Sequence, residues 1–414
     1  SRRIMSILIK NVLLDNKRVD IFIENNKFAK IDKHIDDIQA DKTIDGNNKV
    51  ILPGFYNLHC HAGMNLLRGY CEDLPLFSWL QKIWQKEATL TAEDIYNGTR
   101  LAILEMIKSG TVFFADMYWF HKEIVRAVEE MGIRADVGVC FMDRLSEKER
   151  DENFEFISDF AKQKHTRITV SPAPHAIYTC SKELYKECYK SAMDNVVFLQ
   201  THLAETETEY NDCIKNNNLT PVEYLDSMGV LNDRTIAAHS VYFTEKDAEL
   251  FASKQSVAVH NPCSNMKLSS GIFNMPMMKQ KGVRVALGTD GCSSNNNLSM
   301  IEEMKFATLL SKVGYMKADA LTAQEIYNIA TFEGATAYNI NAGKIEEGML
   351  ADCILVDLNN ERMTPNYNTV FNMVYSADSS CIDTLICDGR VLMENHHVEN
   401  EEDIIEIARR YAKK

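Results

Sequence analysis

The chain has 414 residues, of which 45% are hydrophobic and 25% charged, a globular composition with ample material for a large core. Lys and Arg number 45 against 59 Asp and Glu, and the formal charge of −14 sets the mean field against a polyanion, so no nucleic-acid partner is expected. No apolar run approaches the roughly 18 residues that cross a bilayer, and the opening SRRIMSILIK is too poor in apolar positions for a secretory core; the expectation is no membrane association and a cytoplasmic location. The 11 cysteines are odd in number, run from Cys60 to Cys387 and include no C-x-x-C pair. Neither a disulfide framework nor a thiolate zinc site is supported.

Residues 1 to about 50 read as short strands, Ile4 to Leu14, Val19 to Ile23 and Phe28 to Ile31, separated by the polar turns Asp15-Asn16-Lys17 and Glu24-Asn25-Asn26. From about 51 to 344 the pattern changes to eight apolar runs separated by helical stretches: ILPGFYNL, TVFFAD, IRADVGVC, RITVSPA, VVFLQTH, TIAAHS, VAVHN and VRVALGTD. Strands buried on both faces and joined by helices are parallel, and eight such units close into a barrel. After about 345 strand patterns return in LADCILVDL, DTLICDGRVL and VLMENHHV, followed by the amphipathic EDIIEIARRYAKK. The expected fold is α/β, a (β/α)8 TIM-type barrel over residues 51–344. The two ends, 1–50 and 345–414, are expected to pair as a small β-sandwich domain carrying the terminal helix.

Of the 11 histidines, His59, His61, His175, His202, His239 and His260 sit at or just after the C-terminal ends of proposed strands, the rim where barrel active sites are built. Asp290 joins them after the eighth. A lone histidine at a strand end is ordinarily a hydrogen-bonded structural residue; six on one rim point to a metal site. His59 and His61, two apart on an extended strand, point the same way, so both imidazoles can reach one ion. His202 is followed three residues later by Glu205, a carboxylate able to stand beside an activated water and equally suited to the first turn of the next helix. Asp290 alone reads as well as a turn residue. Three neutral imidazoles and one carboxylate with an open position describe a hydrolytic divalent site, with zinc the first expectation and iron the second.

The segments PGFYNLHCHAGMNLLRG, SPAPHAIYTCS, THLAETETEY, AAHSVYF, HNPCSNMKLSSG, LGTDGCSSNNNLSM and GKIEEGMLADCILVDL, in that order, resemble the amidohydrolase superfamily. They are most similar to its branch of 5′-methylthioadenosine and S-adenosylhomocysteine deaminases, with chlorohydrolases as relatives. The resemblance implies one divalent ion on His59, His61, His202 and Asp290, with Glu205 as proton shuttle and His239 beside the attacking water. It further implies that Asp290 and His239 stabilise the intermediate, that His175 bonds the purine, and that Glu87 binds the ribose hydroxyls. Trp79 and Ser294 fall at other substrate positions.

Homocysteine-binding members carry two arginines after the third strand; Arg150 matches one, while Val139 or a neighbour occupies the other place, which favours adenosines with a small uncharged 5′ group. Arg144 is the alternative cation in that loop. His260, Asn261, Asn265 and Asp116 are read as orienting residues. The implied reaction is hydrolytic deamination of adenine nucleosides, a small-molecule purine nucleoside being the partner. The alternatives are a guanine or pterin deaminase and a triazine-type chlorohydrolase on the same metal site. Members of the family are often homo-oligomers, and the resemblance extends that expectation here.

Overall fold

The computed structural model describes residues 5–413; Ile4, the expected start of the first strand, lies outside them. Strands β1 (Ser6–Leu14), β2 (Lys17–Glu24) and β3 (Lys27–Asp32) form an antiparallel meander. Asp15 and Asn16 both have positive φ in the first turn, the backbone that matches a two-residue hairpin to strand twist. Strands β4 (Lys42–Asp45) and β5 (Lys49–Pro53) then run parallel to β1.

Eight parallel strands follow: β6 (Phe55–Cys60), β7 (Thr111–Tyr118), β8 (Arg134–Phe141), β9 (Ile168–Pro174), β10 (Leu199–Leu203), β11 (Thr235–His239), β12 (Val257–His260) and β13 (Arg284–Leu287). They form two four-stranded halves, β6 to β9 and β10 to β13. The rim is stitched across both seams, where the His202 N–H donates to the His175 carbonyl at 3.0 Å and the Asp290 N–H to the His59 carbonyl at 2.9 Å. Every residue of β7 and β8 is buried, as parallel strands covered on both faces require. Among the described residues, eight of the helices that follow β6 start on Ser or Thr caps, five of them with a reciprocal capping box: Thr91/Asp94, Ser146/Glu149, Thr220/Glu223, Thr244/Asp247 and Thr322/Glu325.

Strands β14 (Cys353–Asp357), β15 (Ile382–Cys387) and β16 (Arg390–Met393) rejoin the N-terminal strands in the order β16-β15-β14-β5-β1-β2-β3, with β4 on β1. Side chains from both ends, including Ile9, Ile21, Phe28, Ile44, Ile51, Leu355 and Ile386, fill one core. The helix Glu401–Tyr411 follows β16, and its Glu401 receives a 2.6 Å bond from Lys108 at the end of the helix Ala92–Lys108 that precedes β7. A short helix, Thr369–Tyr375, stands where no element was expected.

The run ILPGFYNL is two strands rather than one. Residues 49–53 pair with β14 in the terminal sheet, whereas residues 55–60 pair with β7 in the barrel. Pro53 has no N–H to continue a ladder. At Gly54 a Cβ would lie 2.3 Å from a Val112 methyl, so only glycine lets the chain turn between the layers. The layers are fastened by a buried ion pair: Arg134, which opens β8, makes bonds of 2.9 and 3.0 Å to Asp352, and Tyr56 Oη adds one of 2.8 Å. Among the described residues no helix is long and apolar enough to cross a membrane.

Candidate active site

The predicted ligands converge at the C-terminal rim. His59 ends β6 one residue early, and His61 follows it two residues on, their Nε2 atoms 3.3 and 3.1 Å from Asp290 Oδ1. His202, on β10, places Nε2 3.4 Å from His61 Nε2. The ligating atoms of His59, His61 and His202 lie within 4.8 Å of one another, and so do those of His59, His239 and Asp290.

Backbone carbonyls set the tautomers: His61 Nδ1–H donates to Met117, and His202 Nδ1–H donates to His175 at 2.7 Å. Both rings thus aim an Nε2 lone pair inward, the arrangement that prepares imidazole for a metal. His59 Nε2 is buried without a directed hydrogen bond among the described residues. Burial pushes His59 down to about 4. Burial also opposes charge on His61, yet its hydrogen bond with Asp290 lifts it to about 9. Burial likewise works against the Asp290 anion, but the imidazoles beside it hold the carboxylate well below its usual range. Three imidazoles with one carboxylate match a hydrolytic metal's donor set.

Asp290 is tightly positioned, with a 2.7 Å bond from Ser264 Oγ to Oδ2, a 2.9 Å bond from the Gly291 N–H to Oδ1, and Ser294 Oγ at 3.3 Å. The Ser294 hydroxyl therefore serves the Asp290 carboxylate, and the residue is absent from the cavity lining. His239 ends β11 with φ +76, and Asp290 has φ +61; non-glycine residues in the left-handed region are strained and mark places where surrounding contacts override local preference. His239 Nδ1–H donates to Asn265 Oδ1 at 2.8 Å, and its N–H donates to Asn261 Oδ1 at 3.1 Å. These bonds turn its Nε2 toward Glu205 Oε2, 3.6 Å away, and Asp290 Oδ2, 3.7 Å away. Burial raises the Glu205 carboxyl above its ordinary value, with His239 pulling the other way.

Next to this cluster a cavity is lined by Trp79, Trp84, Glu87, Tyr118, His175, Glu205 and His239. Trp79 is anchored by a 3.2 Å bond from Nε1 to the Ser293 carbonyl. Glu87 ends the helix Leu76–Glu87 and accepts a 2.9 Å bond from Tyr118 Oη. Burial raises its pKa, partly countered by that bond. His175 Nδ1 lies 2.9 Å from Thr179 Oγ1, and burial lowers the ring to about 3. With Nδ1 engaged by Thr179, His175 has Nε2 left to bond a ring atom of a substrate.

Other expected residues are placed differently. Arg150 lies in the first turn of the helix Glu147–Lys162, outside the cavity lining. Arg144 lines an adjoining cavity with Trp84, Glu87, Trp119 and Met142, its guanidinium 4.6 Å from the Trp119 ring centroid. His260 stacks on Phe273 at 4.3 Å and takes no place in the ligand cluster. Asp116 accepts the Ala62 N–H at 2.7 Å, and burial pushes it to about 7. Sequence reasoning missed Ser264 and Tyr118. Tyr118 had a signal, standing two residues after Asp116 on one strand and so on the same face; Ser264 had none beyond lying within HNPCSN.

A profile of the amidohydrolase family matches residues 50–392. The 5′-deoxyadenosine deaminase of Methanosphaera stadtmanae is 45% identical over 410 residues, covering 97% of this chain and 96% of that protein. The 5-methylthioadenosine/S-adenosylhomocysteine deaminase of Thermococcus sibiricus is 42% identical over 400 residues, covering 94% of each. In three dimensions the chain superposes on a zinc-bound adenosine deaminase from Xanthomonas campestris with a TM-score of 0.93 at 29% identity, over 99% of this chain and 97% of that one.

Proposed function

Starting from a chain that belongs to the amidohydrolase family, we propose that it deaminates adenine nucleosides hydrolytically. The substrates are 5′-deoxyadenosine, 5′-methylthioadenosine and adenosine, each giving its inosine analogue and ammonia. The observation that carries this reading is one cavity holding three polar stations: Glu205 and His239 at the ion cluster, neutral His175 in the wall, and Glu87 fixed by Tyr118. A purine amino group, a ring nitrogen and a ribose diol are the groups those stations suit. The names of the two sequence relatives, each matched along nearly its whole length, support the same substrates.

His59, His61, His202 and Asp290 would hold one divalent ion, zinc by preference, with iron the alternative. Those residues would give an ion the place to lower the pKa of a water toward 7, which would make it a nucleophile at neutral pH. Glu205 takes the proton lost from that water as oxygen adds to C6 of the purine, and returns it to N1. His239, its Nδ1–H held by Asn265, turns Nε2 to the reacting centre as an acceptor that orients the attacking water. The C6 hydroxyl then gives up its proton, carried by Glu205 to the amino group, and ammonia leaves as the C6 carbonyl forms. Trp79 and the ring of Trp84 exclude water from the purine faces, and Glu87 accepts the ribose hydroxyls. The sheet shared by the two chain ends, divided from the barrel at Gly54, contributes no side chain to this chemistry. Of the two candidate cations only Arg144 lines a cavity, stacked on Trp119, and Arg150 does not; with one cation in place of two for a homocysteine carboxylate, S-adenosylhomocysteine ranks below its uncharged counterparts.

Ammonia release by zinc-loaded protein tests the reading on adenosine, 5′-deoxyadenosine, 5′-methylthioadenosine, S-adenosylhomocysteine and guanine. Turnover of the uncharged adenosines with little on guanine is the expected result. Silence on every adenosine would overturn it in favour of guanine, pterin or triazine substrates.

A further inference from the structure

The helix Glu207–Asn217 has the residues of a capping box but does not close one, as also at Ser299/Glu302. Thr206 caps it by accepting the Glu209 N–H at 3.1 Å, and Glu209 stands at the third helical position. Five other helices with Thr or Ser at the cap and Asp or Glu at that position close a reciprocal box, the acidic side chain returning to the cap residue's own N–H. Glu209 reaches past the cap. Its Oε2 accepts the Ala204 N–H at 2.6 Å and its Oε1 the Glu205 N–H at 3.3 Å.

Those two N–H groups belong to the turn that delivers the shuttle. Ala204 has φ +50, a left-handed conformation that an alanine adopts only under constraint. Its carbonyl is held from the other side by the N–H groups of Val241 and Tyr242 at 3.1 and 3.0 Å. The peptide is thus clamped between the Glu209 carboxylate and the segment just after His239, the residue Glu205 faces at 3.6 Å. Glu209 is only 4% exposed and has no cation among its hydrogen-bond partners. Burial pushes the Glu209 carboxyl up to about 8, against the two N–H bonds it accepts, and burying that group is costly for a helix cap that Thr206 already provides.

We propose that Glu209 is a positioning residue for Glu205, its carboxylate fixing the left-handed Ala204 turn so that the shuttle and His239 face one reacting centre. This rests on the reading of Glu205 as the proton shuttle. Misplacing a general base by a fraction of an ångström lowers turnover without touching the groups that grip the substrate, so the effect falls on kcat rather than KM.

The test compares Glu209→Gln and Glu209→Asp with Glu223→Ala, which removes the carboxylate of an ordinary capping box on the following helix. Steady-state kinetics on 5′-deoxyadenosine, zinc content, thermal midpoint and amide hydrogen exchange across residues 203–206 are read for each. For Glu209→Gln the expected results are kcat lower by about tenfold to a hundredfold, KM within about twofold, full zinc content, and faster exchange at 203–206. Glu209→Asp, which keeps a carboxyl group with two acceptor oxygens, should recover part of the loss. Glu223→Ala should lower the thermal midpoint while leaving kcat unchanged. An unchanged kcat in Glu209→Gln, whatever its exchange, would overturn the proposal, as would a loss matched by Glu223→Ala at equal destabilisation. Wild-type silence on every adenosine would instead overturn the deaminase reading itself.

Discussion

Replacing Asp352 by Asn probes how the barrel is fastened to the sheet built from the chain ends. Its carboxylate accepts bonds from Arg134 Nε at 3.0 Å and Nη2 at 2.9 Å, from Tyr56 Oη at 2.8 Å and from the Asp388 N–H at 2.8 Å. The two ionic side chains are 5% and 0% exposed, so the pair lies outside the range of weak surface ion pairs. An amide preserves the shape but points an NH2 group at a donor and leaves the guanidinium without its main counter-charge. Breaking a buried pair costs about 3–5 kcal/mol. Because Asp388 Oδ1 remains 3.1 Å from Arg134 Nη2, the lower end, about 3 kcal/mol, is the expected loss. Denaturant unfolding of Asp352→Asn against wild type measures it. Activity below the transition should be unchanged, since Tyr56 and Arg134 stand at strand beginnings and the chemistry at strand ends. The pH sign follows from the same contacts. Burial alone would raise the Asp352 carboxyl, but the Arg134 charge and hydrogen bonds outweigh it and depress the folded pKa below the ordinary 3.8. Its contribution is therefore complete above that ordinary value and is lost as pH falls through the depressed one. Asp352→Asn should accordingly lose less stability than wild type on acidification. A penalty under about 1 kcal/mol, the level of an exposed pair, would refute the reasoning.

Asn265→Ala removes the acceptor of His239 Nδ1–H, and kcat should fall by about tenfold or more with zinc content unchanged; equal activity would show that His239 needs no such orientation. Glu87→Ala should raise KM for adenosine and 5′-deoxyadenosine far more than for free adenine, read by competition kinetics, because only the nucleosides offer a ribose diol. Burial raises the Glu205 carboxyl from its ordinary 4.5, and the base form is the active one. The acid limb of kcat/KM should therefore lie above that value, activity being lost as pH falls through the raised pKa.

Much of the barrel was legible because strands buried on both faces and separated by helical stretches leave apolar runs that periodicity can find. The same property hid the break at Gly54. Residues on both sides of it are buried, so no polar residue marks the passage from one sheet to the other. The rim clusters were legible because the extended period of two aims His59 and His61 together, and because the strand ends bring His202, His239 and Asp290 alongside. His260 shares the strand-end position, but its ring lies on Phe273 outside the ligand cluster, and the sequence reads it as an orienting residue and not as a ligand. Roles set by loop conformation were not readable. Whether Arg144 or Arg150 meets the cavity depends on the turn after β8, and the reach of Glu209 past its cap depends on a left-handed Ala204 that no residue type announces.

The most direct test of the central claim is the turnover of 5′-deoxyadenosine by Glu205→Gln at the same zinc content as wild type. If this buried carboxylate carries the proton from water to N1, kcat should fall by about 10²- to 10⁴-fold with the ion still bound. Near-wild-type turnover by the fully loaded variant would contradict the account.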